Sequence, residues 1–181
     1  MRYIPLLLLL LQGGLLLGGG AVAARPAYHW GLRQASRLRA RTEWQRHCHE
    51  GVASDRPGRP ALWLRIPSCG IDDLVLSDDT TANLARHACL VRGAPPVILG
   101  HRDTHFRKLR KIAVNDSLEV QQLDGREQRY RVTEIEILPV DRANRRLHEH
   151  RDPESMVLMT CHPFHYIGAA PNRMLVWIRP V

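Results

Sequence analysis

Three side chains with complementary chemistry stand at the edges of apolar runs. Cys161 follows Met156-Val157-Leu158-Met159-Thr160, and Arg173 opens the run Met174-Leu175-Val176-Trp177-Ile178 twelve residues later. Sixty residues upstream of the cysteine, Val97-Ile98-Leu99-Gly100 delivers His101. A thiol, an imidazole and a guanidinium supply a nucleophile, a proton carrier and an anion stabiliser, which is the minimum set for acyl transfer at sulfur. A thiolate attacks an amide carbonyl better than a hydroxyl does near neutral pH. The tetrahedral intermediate carries an oxyanion that a permanently charged, planar guanidinium can stabilise. An imidazole can give a proton to the departing amine and take one from the incoming amine.

Each residue also has a bland reading. A cysteine at the end of an apolar strand can be a small buried hydrophobe. His101 can be a loop histidine with a structural hydrogen bond, and Arg173 an ion-paired strand residue. Thr160 can shape the site or serve only as a β-branched strand residue. Asp103 and His105 flank His101 and can orient its loop, with a turn role the simpler one for Asp103.

The elements that must position these groups read as short strands. Leu62, Leu64 and Ile66 alternate with Trp63 and Arg65 up to Pro67, and Ile71 to Leu76 forms a second strand after a Ser68-Cys69-Gly70 turn. Thr80 to Leu90 reads as one short helix capped by Asp79 or Thr80. Phe106, Leu109 and Ile112 have helical spacing. Ser117 to Gln122 and Gln128 to Leu138 read as a hairpin across Asp124-Gly125, with an irregularity near Thr133-Glu134. Asp141 to Pro153 is polar and charged and reads as a long loop. Many strands and few helices predict an all-β fold, a closed or nearly closed barrel.

The chain has 181 residues and a formal charge of +8. Eight arginines face three acids between Arg25 and Arg59, and no nucleic-acid-binding motif accompanies them. This basic stretch follows an uncharged hydrophobic segment, residues 3–24, and reads as a neighbour of anionic lipid. The segment has the length of a transmembrane anchor, for which about 20 apolar residues suffice. Arg2 and the small residues of Ala21-Val22-Ala23 also fit a cleavable signal peptide. Either reading places the body outside the cytoplasm, whereas the heavier positive charge after the segment runs against that orientation. The expected organisation is an anchor or signal over 1–26, a basic juxtamembrane helix and linker over 27–60, and a catalytic domain over 61–181. The helix, Tyr28 to His47, has a thin apolar face and reads as a solvated stalk.

Cys48, Cys69, Cys89 and Cys161 lack CxxC spacing, which argues against a thioredoxin-like site or zinc ribbon. With Cys161 kept as a thiol, at most one disulfide forms among the others. His47-Cys48-His49 and Cys161-His162 with His165 offer metal-ligating atoms. Adjacent side chains on a strand point apart, which disfavours a closed tetrahedral site. No metal or cofactor is expected.

Read in order, Leu64-Arg65-Ile66-Pro67, Ile71-Asp72, Gly100-His101-Arg102-Asp103-Thr104-His105-Phe106, Asn115-Asp116, Thr160-Cys161-His162-Pro163-Phe164 and Arg173-Met174-Leu175-Val176 resemble the sortases, cysteine transpeptidases. Residues 100–106 resemble most the subgroup of Gram-negative bacteria. The resemblance covers about residues 61–181. It implies a sortase-like closed barrel with short helices behind an N-terminal hydrophobic helix, with Cys161 as nucleophile, His101 as catalytic histidine and Arg173 as catalytic arginine. Thr160 and His162 are then expected at the substrate. The implied partner is a secreted protein with a C-terminal sorting motif of the Leu-Pro-x-Thr-Gly type, together with an amine acceptor and the inner membrane, and no nucleic acid. The chain departs from the family pattern over Ala85 to Ala94, where glycine and proline usually accompany a histidine, and at Asn115 and His162.

Overall fold

The computed structural model describes residues 40–48 and 58–181. The predicted hydrophobic helix, residues 28–39 of the basic helix and most of the linker lie outside the described residues.

Eight strands close into a barrel in the order β1-β2-β3-β4-β7-β8-β6-β5, with β5 returning to β1. The strands are β1 (Pro60–Ile66), β2 (Ile71–Ser77), β3 (Ala88–Val91), β4 (Val97–Leu99), β5 (Ser117–Gln122), β6 (Glu127–Pro139), β7 (Met156–His162) and β8 (Asn172–Pro180). Two neighbours run parallel, β2 with β3 and β4 with β7, and the rest are antiparallel. Closure leaves no open sheet edge, and eight strands enclose an interior that side chains alone can fill.

The two-residue side-chain period assigns every strand an inner and an outer face. Leu62, Leu64, Ile66, Val75, Ile98, Leu158 and Val176 fill the interior. Phe106 and Leu109 join them from the segment after β4, at 1% and 0% exposure. That segment is a 3-10 helix, Arg107–Lys111. The three-residue spacing of Phe106, Leu109 and Ile112 suits its period, so the helical expectation holds in a tighter form.

Helices cover parts of the outer face. Residues 40–48 form α1, whose Ala40 and Trp44 are buried with Trp63, Leu74, Leu76 and Cys89. Trp44 stands 6.0 Å from Trp63 and its indole N–H reaches Gln121 Oε1 at 3.3 Å. This corrects the solvated-stalk expectation: two residues spaced by four suffice to dock this part of the helix. α2 (Thr81–Leu84) is a single turn capped by Thr80, and the expected helix up to Leu90 gives way to β3. α3 (Val140–Glu149) replaces the expected loop over Asp141 to Pro153. Its Ala143 is buried, and Leu147 packs with it against Val97, Val157, Leu175 and Trp177.

The β5–β6 hairpin turns at Gly125, whose φ of 82° lies in the left-handed region that favours glycine. The expected irregularity at Thr133-Glu134 is a register shift between Val132 and Glu134.

Candidate active site

Cys161 and Arg173 are direct cross-strand partners on β7 and β8. Cys161 shares the strand face of Val157 and Met159, and Arg173 that of Leu175 and Trp177. Those neighbours belong to the outer cluster under α3, so sulfur and guanidinium also project outward, beyond the end of that cover. Side chains paired directly in an antiparallel ladder have Cβ atoms about 5 Å apart. Both residues are partly exposed.

His101 arrives on the other side of β7. β4 runs parallel to β7 with Leu99 opposite Met159, two positions before His101 and Cys161 respectively. The pairing continues through Gly100, whose N–H donates to Met159 O at 3.1 Å. The Thr160 hydroxyl donates to Gly100 O at 2.7 Å. His101 is exposed, and its carbonyl accepts from Thr104 N at 3.3 Å and Phe106 N at 3.0 Å, which curls the following chain back on itself. Gly100 is required here by close approach: a Cβ would lie 2.6 Å from the Phe106 ring.

Thus β4, β7 and β8 lie side by side and bring imidazole, sulfur and guanidinium to one end of one outer wall. Arg173 Nη1 donates to Ala170 O at 3.2 Å and Asn172 O at 3.1 Å, which fixes the head group next to the β7–β8 loop. Thr160 does not face this site. It is 2% exposed with its hydroxyl committed to Gly100, so it acts as a strut between β7 and the histidine loop rather than as a substrate contact. His162 is half-buried, edge-on to Phe164 at 5.8 Å, and its Nδ1 is buried without a hydrogen-bond partner. Asp103 is exposed and accepts from Arg102 Nε at 3.3 Å.

Arg102 is a site residue beyond those expected from the sequence. It is 8% exposed, and its Nη2 donates to Tyr166 O at 2.6 Å and Gly168 O at 2.9 Å. A buried guanidinium therefore clips the β7–β8 loop to the histidine loop. Its place directly after His101 was the available signal.

The other sulfurs differ. All four cysteines are free thiols. Burial pushes the Cys89 thiol up to about 12 and raises those of Cys69 and Cys48. Raised thiols of this kind stay protonated near neutral pH.

The barrel agrees in fold with related chains. Residues 64–181 match the family described as Sortase domain, and the chain belongs to that family. It is 33% identical over 81 residues to sortase D of Bacillus subtilis (strain 168), a match covering 45% of this chain and 40% of that protein. Among solved structures, a Clostridium perfringens sortase D5 transpeptidase superposes with a TM-score of 0.63 at 14% identity, covering 83% of this chain and 99% of that one. Sortase A from Corynebacterium diphtheriae does so with a TM-score of 0.61 at 21% identity, covering 68% and 61%.

Proposed function

We propose that this protein is a cysteine transpeptidase that cleaves a C-terminal sorting motif of a secreted protein and transfers the new carboxyl end to an amine. The observation that carries the reading is the strand register: Cys161 opposite Arg173, with His101 emerging beside Cys161 from the parallel strand.

The Cys161 thiolate adds to the scissile carbonyl, and the resulting oxyanion is stabilised by Arg173. The carbon–nitrogen bond breaks as His101 delivers a proton to the leaving amine, and a thioester remains on Cys161. An acceptor amine then attacks the thioester, gives a proton to His101 and expels the thiolate. Water in place of the amine gives hydrolysis, the second reading, and a barrel that binds peptide without turnover is the third. The motif is proposed to be of the Leu-Pro-x-Thr-Gly type, held extended beside β7 and β8, with His162 at its edge. The motif residues 100–106 support placement with the sortases of Gram-negative bacteria. The apolar segment 3–24 supports a single-pass protein of the inner membrane with its barrel in the periplasm, or a secreted barrel after signal cleavage.

The test incubates the full chain with a sorting peptide and an amine nucleophile. Wild type is expected to give ligated product and a thioester adduct visible by intact mass. Cys161→Ala is expected to lower turnover by at least about 10³-fold. Full turnover by Cys161→Ala would end this reading, and product formed only with water would replace it with the peptidase reading.

A further inference from the structure

A buried carboxylate with two imidazoles lies beneath the histidine loop, and the chemistry above does not use it. On β2, Ile71 and Val75 face the interior, so Asp73 shares their inward phase. Its side chain is 17% exposed, and those of His87 and His105 are 10% and 11% exposed. His87 Nδ1 lies 3.4 Å from Asp73 Oδ1, and His105 Nδ1 lies 3.6 Å from Oδ2, so each imidazole takes its own oxygen. The two rings stack with centroids 6.3 Å apart. Burial alone would raise the Asp73 carboxyl, but hydrogen bonds and charge from His105 and His87 outweigh it and hold the group well below the usual carboxylate range.

The positions of the two histidines give the cluster its meaning. His105 is four residues beyond His101 and directly precedes Phe106, whose ring lies under Gly100. The loop is thus fixed at its start by Thr160 and near its end by Asp73. His87 belongs to the Ala85–Ala94 stretch and directly precedes β3, which pairs with β4. One carboxylate therefore joins the loop that leaves β4 to the segment that enters β3 beside it.

We infer that Asp73 is a positioning residue for His101, acting through His105 and, on the neighbouring segment, through His87. The inference rests on the transpeptidase reading for its catalytic consequence, though not for its structural one. Misplacing a reacting group by about 1 Å costs about 100-fold in rate. In Asp73→Asn the hydrogen-bond acceptor is weakened and the charge is lost, and the loop carrying His101 loosens while the substrate groove on β7 and β8 stays intact.

The experiment uses the full chain and two readouts. In Asp73→Asn, kcat for cleavage of the sorting peptide is expected to fall about 30- to 100-fold with KM changed less than about twofold. Amide hydrogen exchange over residues 101–106 is expected to speed up about tenfold, with β5 and β6 unchanged. His105→Gln, which leaves the Asp73–His87 pair in place, is expected to show the same pattern more weakly, and it decides the matter if Asp73→Asn does not fold. Unchanged exchange over 101–106 in the folded variants overturns the inference, as does a loss confined to KM. A loosened loop in a protein whose wild type turns over no sorting peptide supports the positioning and sinks the transpeptidase reading instead.

Discussion

Cys89 and Cys161 project from the same outer wall of one barrel, on strands separated only by β4, yet they are chemically unlike. Cys89 is fully buried beneath α1, among Trp44, Trp63, Leu74 and Leu76. Cys161 lies near the start of α3, partly exposed and opposite a guanidinium. The strand environment is similar in both places, and the cover differs. A helix over the sheet turns a thiol into packing material, and its absence leaves a site. The cluster under α3 holds Val97, Val157, Leu175 and Trp177, and the β7–β8 loop that Arg102 clips to the histidine loop adjoins the exposed residues beyond it.

This contrast can be broken most decisively by thiol labelling. At pH 8 a thiol with a pKa of about 12 is ionised in about one molecule in ten thousand. Iodoacetamide is expected to alkylate Cys161 at least about 100-fold faster than Cys89 in the folded chain, measured by peptide mapping. Comparable rates would show that cover does not set reactivity. A second test removes the cover. Trp44→Ala deletes the main apolar contact of α1 and is expected to destabilise the fold by about 3 kcal/mol, read from the denaturation midpoint. It should also raise Cys89 alkylation while leaving Cys161 alkylation at its original rate. A change at both sulfurs would mean that the two regions are coupled.

The smallest effect sharpens the contrast from the α3 side. Asp152 follows α3 and accepts hydrogen bonds from Ser155 Oγ at 2.6 Å, Glu154 N at 3.1 Å and Arg179 Nε at 2.6 Å. These hold its carboxyl down at about 2, the Ser155 hydroxyl contributing most. A lowered carboxylate pKa stabilises the fold above the ordinary value of about 4 and loses that contribution as pH falls toward 2. Asp152→Asn is expected to flatten the stability profile between about pH 4 and 2 and to leave Cys161 labelling unchanged. An unaltered acid limb would remove Asp152 from the account.

The two regions also differed in how far the sequence disclosed them. Leu62, Leu64 and Ile66 announced β1 through alternation, Asp124-Gly125 the hairpin, and Thr133-Glu134 the bulge, because those signals are local. α3 escaped because Ala143 and Leu147 are its main apolar contacts in a charged run, and tertiary packing rather than periodicity stabilises it. β3 escaped because four residues after a capped turn resemble a helix continuation. Cys161, His101 and Arg173 were recognisable as chemistry, but their adjacency is a matter of register, which single runs of residues do not encode. Thr160 was expected at the substrate through the family resemblance, and the two-residue period turns it inward, where its hydroxyl meets Gly100 O. Asp73 gave no signal, since one acid in an Asp-Asp pair reads as a polar strand position until the barrel closes over it.

The parallel neighbourhood of β4 and β7 has a temporal consequence. A chain made from its N-terminus exposes the imidazole first, the sulfur about sixty residues later, and the guanidinium last, on the final strand. Contacts between segments so distant along the chain form only after the intervening hairpin and helix have been gathered in, which slows assembly. Under the proposed transpeptidase chemistry, a nascent or truncated chain lacking β8 carries the thiol and the histidine but not the guanidinium, so activity waits for the last strand to be made and paired.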